Sequence, residues 1–337
     1  MAVAIYITLG VKTYGSYPKS LNKFFGRYEV AVMRKIWSDF KPYLRWVIIG
    51  GTLFFLLKAL KDHASEVAAI RIDGAGWVSL AIALLVTIIA HTWSGWVWGG
   101  ILNSLNQPVS MQWVIPVYLK TNLAKYLPGN IWHFYGRIVA VTNAGGTIGA
   151  ATLSVLLEPL LMAAAALLMA VSGSQVNTES RWLQVICLIV VGVGIHPRIL
   201  NSFIQLLSRF KGKATDGEIF NLKQYPFLPL LGELGFLVLR GSGFLLTLMA
   251  LTPVPFNQIP QLLSAFSMAW VLGLVIPGAP GGIGVFEATA IALLDQQFSP
   301  GLLISVVALF RVVSILAEVI AAGVATLAEH FFSVRHR

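Results

Sequence analysis

Residues 261–294 read QLLSAFSMAWVLGLVIPGAPGGIGVFEATAIALL, and no charge appears among them before Glu287. A run this apolar suits hydrocarbon, yet PGAPGGIG, Pro277 to Gly284, divides it in the middle. Proline lacks an N–H and glycine loses the most backbone freedom in a helix, so a helix is expected to stop there. At about 1.5 Å per residue, each half is too short for a hydrocarbon core about 30 Å thick. The stretch is therefore expected to form a re-entrant helical hairpin, its opened backbone satisfied by protein or by a water-filled cavity.

A second broken segment lies around 112–135, with VIPVYLKTNLAKYLPGNIWHFY interrupted by Pro116 and by Pro128-Gly129. The two segments look like copies of one unit. Leu127-Pro128-Gly129 precedes the apolar run GAATLSVLLEPLLMAAAALL, which carries Glu158; Ile276-Pro277-Gly278 precedes GLLISVVALFRVVSILAEVI, which carries Arg311 and Glu318. An odd number of expected spans separates them, so they should enter from opposite faces. That is the pattern of an inverted repeat, in which broken elements meet near the midplane.

Composition agrees with a membrane setting. Of the 337 residues 57% are hydrophobic and 11% charged, with a mean hydropathy of +0.77, whereas about a quarter of a soluble domain is charged. Candidate spans are 77–101, 148–172, 226–250 and 301–328, with 44–61 and 182–204 kept because Lys58 and Arg198 can snorkel to an interface. The fold class is thus an all-α integral membrane protein of six transmembrane helices plus two re-entrant hairpins. Three regions are expected: a basic, aromatic cytoplasmic or interfacial segment at 1–43, a transmembrane domain at 44–330, and a short basic tail at 331–337. The first could equally be a disordered tail, or lie upstream of a start at Met33. No cleaved signal peptide is expected at the N-terminus, and Cys187, the single cysteine, can form no internal disulfide.

The net charge of +10 reads as topology rather than nucleic-acid binding. Placing both termini in the cytoplasm puts eighteen Lys and Arg on that side and four, Lys58, Lys61, Arg71 and Arg181, on the other. A multi-pass inner (plasma) membrane protein is expected, with membrane lipids as its partners, alongside a second copy or a lipid-synthesis enzyme.

Charges at membrane depth are costly and are usually paired or functional. Glu158, Glu233, Arg240, Glu287, Arg311 and Glu318 are such candidates. Glu233 and Arg240 are seven apart and share a helix face, as do Arg311 and Glu318. Each pair either lines a polar path, bridging helices, or neutralises itself and fixes helix register. Glu158 stands before Pro159, which removes a backbone donor. Glu287 follows the glycine break, where it either contacts a ligand or caps the helix start. Lys120, Lys125, His133 and Arg137, interleaved with aromatic residues, suit a phosphate headgroup, though positive-inside anchoring has the same composition. The break residues Pro128, Gly129, Pro277, Gly278, Gly281, Gly282 and Gly284 complete the candidate lipid path. Gly95-x-x-x-Gly99 and Gly145-x-x-x-Gly149 read as close helix packing. His91 and His196 stand alone and read as packing or interfacial residues. No metal, nucleotide or hydrolase motif appears, so no cofactor, catalytic residue or metal site is assigned.

The run PGAPGGIGVFEA, Pro277 to Ala288, with KYLPGNIWHFYGR, Lys125 to Arg137, and the late Arg311 resembles the transmembrane domain of the lysylphosphatidylglycerol synthase/flippase family over about 44–330. The resemblance implies an all-helical flippase domain moving a lipid between leaflets: aminoacylated phosphatidylglycerol in the best-known branch, polyprenyl-phosphate sugars or hopanoid-type lipids in others. Bifunctional members carry a C-terminal soluble aminoacyl transferase; with the chain ending at Arg337, a stand-alone translocase is expected rather than a synthase. Two other classes stay open. One is a membrane-embedded transferase using Glu158 or Glu287 as general base, the other a non-catalytic partner of a lipid enzyme.

Overall fold

The computed structural model describes residues 61, 64–69, 71–107, 109–126, 131–173, 186, 189–190, 192–194, 196–199, 201–202, 225–276, 282 and 284–335. All regular structure among them is helical: α1 (Ala64–Ala69), α2 (Gly74–Ser104), α3 (Met111–Asn122), α4 (Trp132–Asn143), α5 (Ile148–Gly173), α6 (Phe227–Met249), α7 (Ile259–Val275), α8 (Val285–Leu294) and α9 (Pro300–Arg335), with 3-10 turns at Leu123–Tyr126 and Phe256–Gln258. The expected spans 77–101, 148–172, 226–250 and 301–328 fall on α2, α5, α6 and α9. The candidate 44–61, apart from Lys61, and most of 182–204 lie outside the described residues, as does the basic segment 1–43.

Among the described residues five helical runs are long and apolar enough to cross a membrane: Gly74–Ser104, Ile148–Gly173, Phe227–Met249, Phe256–Val275 and Pro300–Glu329. Their exposed sides carry large apolar residues: Trp77, Ile82, Leu85 and Ile89 on α2, and Val312, Leu316, Val319 and Val324 on α9. The inner sides carry Glu158, Glu233, Arg240 and Glu318, each at most 3% exposed. Charges inside and hydrocarbon outside is the distribution a lipid solvent selects.

The fifth run corrects an expectation. The first half of the segment at 261–294 is not too short to cross, since Phe256–Val275 has 20 residues. Pro260 lies in the first turn of α7, where the missing N–H costs nothing because that donor has no intrahelical acceptor. The helix therefore starts ahead of position 261.

Both broken segments nevertheless fold back on themselves. After the first break α4 returns along α3, with Arg137 Nε 3.4 Å from Thr121 Oγ1. After the second, α8 returns along α7, bringing Gly282 against the Gly273 backbone. Gly282 (φ 71°) and Gly284 (φ 91°) both adopt the left-handed backbone that lets the chain turn into α8. Gly145 (φ 88°) likewise serves a turn, between α4 and α5, and not the close packing expected of it. Gly95 and Gly99 do pack closely: a Cβ on either would meet Tyr118 at 3.2 Å or Met111 Sδ at 2.8 Å on and beside α3.

The helix neighbours have a regular pattern. α2 lies against α6, α3 against α9 and α7 against α5, while α2 also meets α9 and α6 also meets α5. Exchanging α2–α5 for α6–α9 turns each of these contacts into another of them. The α2–α6 crossing rests on small residues of α6: Trp93 Nε1 donates to the Gly232 carbonyl at 2.8 Å, and a Cβ on Gly232 would meet Val97 at 2.6 Å.

The α5–α7 contact is the tightest of these. A Cβ on Gly173 would overlap the Pro260 carbonyl oxygen, and Ser264 Oγ donates to the Ala170 carbonyl beside it. Gly173→Ala is expected to destabilise the protein by about 1–3 kcal/mol, the usual cost of overpacking. Gly323→Ala on α9, where a Cβ meets nothing within 4 Å, should be neutral or stabilising. Thermal unfolding of the two variants in detergent measures the difference.

Candidate functional site

A cavity of about 330 Å³ opens where the two broken segments meet. The first contributes Tyr118, Asn122, Lys125, His133, Phe134 and Arg137 to its wall, the second Trp270, Gly273, Leu274, Gly282 and Phe286. The long helices add His91 from α2, Glu158, Pro159 and Met162 from α5, Phe236 and Arg240 from α6, and Phe310 and Arg311 from α9. Cations lie on this wall together with an aromatic surface. The rings of Phe286 and Phe310 are 5.7 Å apart, those of Phe236 and Trp270 5.6 Å.

Three ion pairs border the cavity. Arg137 Nη1 meets Glu158 Oε2 at 2.5 Å, and the other carboxylate oxygen accepts the Tyr118 hydroxyl at 2.7 Å. Ser94 Oγ lies 2.6 Å from the same hydroxyl, and the Tyr118 ring covers the guanidinium at 3.8 Å. Pro159, one step on, leaves the Val155 carbonyl without its usual helical donor. On the other side, Arg311 Nε donates to Glu287 Oε1 at 2.7 Å, and Glu287 Oε2 accepts the Gly284 N–H at 2.5 Å. Glu287 thus caps α8 and holds an arginine at once. The third pair joins the two halves: Lys125 Nζ is 2.6 Å from Glu318 Oε1, with His91 Nε2 at 3.3 Å.

The first two pairs occupy matching places with opposite polarity. Arg137 is on the return helix α4 and Glu158 on the following long helix α5; Glu287 is on the return helix α8 and Arg311 on the following long helix α9. Glu158 and Arg311 are the eleventh and twelfth residues of their helices.

Several expectations change. Glu233 and Arg240 share a buried face but form no ion pair: two turns separate them by about 10.5 Å along the axis. Neither Glu233 oxygen has a hydrogen-bond partner among the described residues, and Arg240 Nη2 reaches Ser314 Oγ at 3.0 Å instead. Arg311 and Glu318 likewise each bond another helix rather than one another. Lys120 does not join the cavity; it pairs with Glu329 at 2.6 Å on an exposed surface. Arg137 is 1% exposed, so the basic cluster at 120–137 is divided between surface and interior and is not one open patch. His133 lines the cavity with Nδ1 unbonded. Pro128, Gly129, Pro277, Gly278 and Gly281 lie outside the described residues.

Sequence reasoning missed His91, Tyr118, Ser94, Ser314 and Trp270. A signal existed for two of them. Thr87, His91, Ser94 and Trp98 recur at intervals of four, three and four along α2, and all are buried. That spacing makes one helix face.

No family model matches the chain, and no curated protein matches it. The chemistry accordingly rests on the cavity itself. Glu158 and Glu287 have their oxygens occupied by arginines and by Tyr118 or Gly284, an arrangement that holds each charge in place.

Removing one partner of a buried ion pair leaves an uncompensated charge, at a cost of about 3–5 kcal/mol. Arg137→Ala and Glu158→Ala should each lower the apparent melting temperature in detergent strongly. The double variant should be less destabilised than the two single losses added together, which a double-mutant cycle measures.

Proposed function

We propose that the protein is a lipid translocase that moves a phosphate-headgroup lipid between membrane leaflets. The observation that carries this reading is the cavity at the meeting of the two broken segments, with cations and aromatic rings on one wall. Its volume of about 330 Å³ accommodates a polar headgroup, while the acyl chains would stay in the bilayer.

In this reading α2–α5 and α6–α9 form an inverted repeat whose broken segments enter from opposite faces, the second with a first half, Phe256–Val275, long enough to cross. The exchangeable helix contacts and the ion pairs of reversed polarity support it. Rocking of one half against the other would open the cavity to each leaflet in turn. The motif resemblance to the lysylphosphatidylglycerol synthase/flippase transmembrane domain points the same way, because Lys125, Arg137, Gly282 and Arg311 all lie on the cavity wall. The inner membrane, with both termini cytoplasmic, is the proposed location.

Liposomes reconstituted with the protein should exchange a fluorescent lipid between leaflets faster than empty ones. Arg311→Ala and Glu287→Ala should each reduce the rate at least about tenfold, the effect of losing a charged hydrogen bond worth about 1.5–3 kcal/mol. Wild-type rates in both variants would overturn the site, and the absence of exchange with any lipid would overturn the function.

A further inference from the structure

Among the described residues four cations line the cavity, and three bring their own counter-ion: Lys125 has Glu318, Arg137 has Glu158 and Arg311 has Glu287. Arg240 has none among the described residues. It is 3% exposed, donates one hydrogen bond, to Ser314, and leaves Nε and Nη1 without a partner. Phe310 at 4.8 Å and Trp270 at 5.3 Å lie over its guanidinium. Rings stabilise the cation through their faces but accept none of its in-plane N–H groups. A guanidinium carries five such donors, whose fork matches two oxygens of a phosphate.

The carboxylates present the complementary fact. Glu158 is the one acid on the cavity wall among the described residues, and Arg137 and Tyr118 hold its two oxygens. A headgroup ammonium entering here would meet four cations and no uncompensated anion. A headgroup with one net negative charge would meet one cation lacking a counter-ion.

We propose that Arg240 is the anion receptor of the cavity, and that the lipid carried bears a headgroup of one net negative charge, centred on phosphate. Phosphatidylglycerol or a polyprenyl phosphodiester has that charge; a zwitterionic phospholipid or a cationic aminoacylated one does not. The proposal rests on the translocase reading for the ligand being a lipid, while the charge requirement rests on Arg240 alone.

The test uses the purified full chain in detergent, with binding of phosphatidylglycerol, phosphatidylcholine and lysylphosphatidylglycerol measured by native mass spectrometry and inorganic phosphate added as a soluble competitor. Phosphatidylglycerol should bind at least about tenfold more tightly than the other two, the scale of one charged hydrogen-bonded contact. Arg240→Gln should abolish that preference and Arg240→Lys should retain part of it, since lysine keeps the charge but not the fork. If the Gln variant fails to fold, the wild-type ranking still decides the charge requirement and the reduced preference of Arg240→Lys decides the role of Arg240. Equal or tighter binding of either other lipid overturns the proposal, as does a preference that survives in Arg240→Gln. Displacement of lipid by phosphate as effectively as by phosphatidylglycerol would assign the receptor to a soluble anion and overturn the lipid assignment. The same three lipids in liposomes separate the two ideas. A binding preference without leaflet exchange removes the translocase reading and leaves the anion receptor standing; exchange without a headgroup preference does the reverse.

Discussion

A charge removed from water needs a partner close at hand, and in this protein that requirement decides where the broken segments sit. The idealised cost of burying a lone ion is tens of kcal/mol, so ionised groups at depth survive by pairing. Arg137 with Glu158 ties α4 to α5, and Glu287 with Arg311 ties α8 to α9. Both return helices are short, of 12 and 10 residues, and would be marginal on helical propensity alone. Electrostatic attachment to a long neighbour gives each a fixed register. Glu287 does this twice over, because its second oxygen satisfies the Gly284 N–H at the point where α8 begins.

Breaker residues and buried charges were legible in the sequence; the partners of those charges were not. PGAPGGIG and Pro128-Gly129 interrupt runs that would otherwise continue as helix, and the helices on either side of each, α3 with α4 and α7 with α8, pack on one another. Glu158, Glu287 and Arg311 stand out because a charge is rare in such runs, and all three border the cavity or hold a residue that does. A seven-residue spacing, however, reveals only a shared face. That Arg240 meets Ser314 depends on α9 packing beside α6, a contact between residues 74 apart in the chain that no local pattern reveals. His91 was undervalued for the same reason: isolated in sequence, it lies beside Glu318 only because α2 and α9 are neighbours.

Reading composition without depth also misled at Lys120 to Arg137. Four basic or imidazole side chains within eighteen residues look like a single patch. The fold sends Lys120 outward to Glu329 and Arg137 inward to Glu158, since a helix turns by about 100° per residue and these two lie on either side of the break. What remains at the cavity is a smaller set, Lys125, His133 and Arg137, of which two are already neutralised.

The reversed polarity of the two matching ion pairs bears on how such a cavity could work. If both halves presented the same charge to the centre, the cavity would repel or trap an ionic headgroup in every state. With Arg137 and Glu158 in one half answered by Glu287 and Arg311 in the other, these two pairs are each neutral within their own half, while Lys125 and Glu318 pair across the halves. The contribution that breaks this balance comes from the central crossing of α2 and α6, where Arg240 faces the cavity and α2 offers His91. A charge carried by the central helices is reachable from either half. That is the position from which one receptor could serve both sides of a membrane.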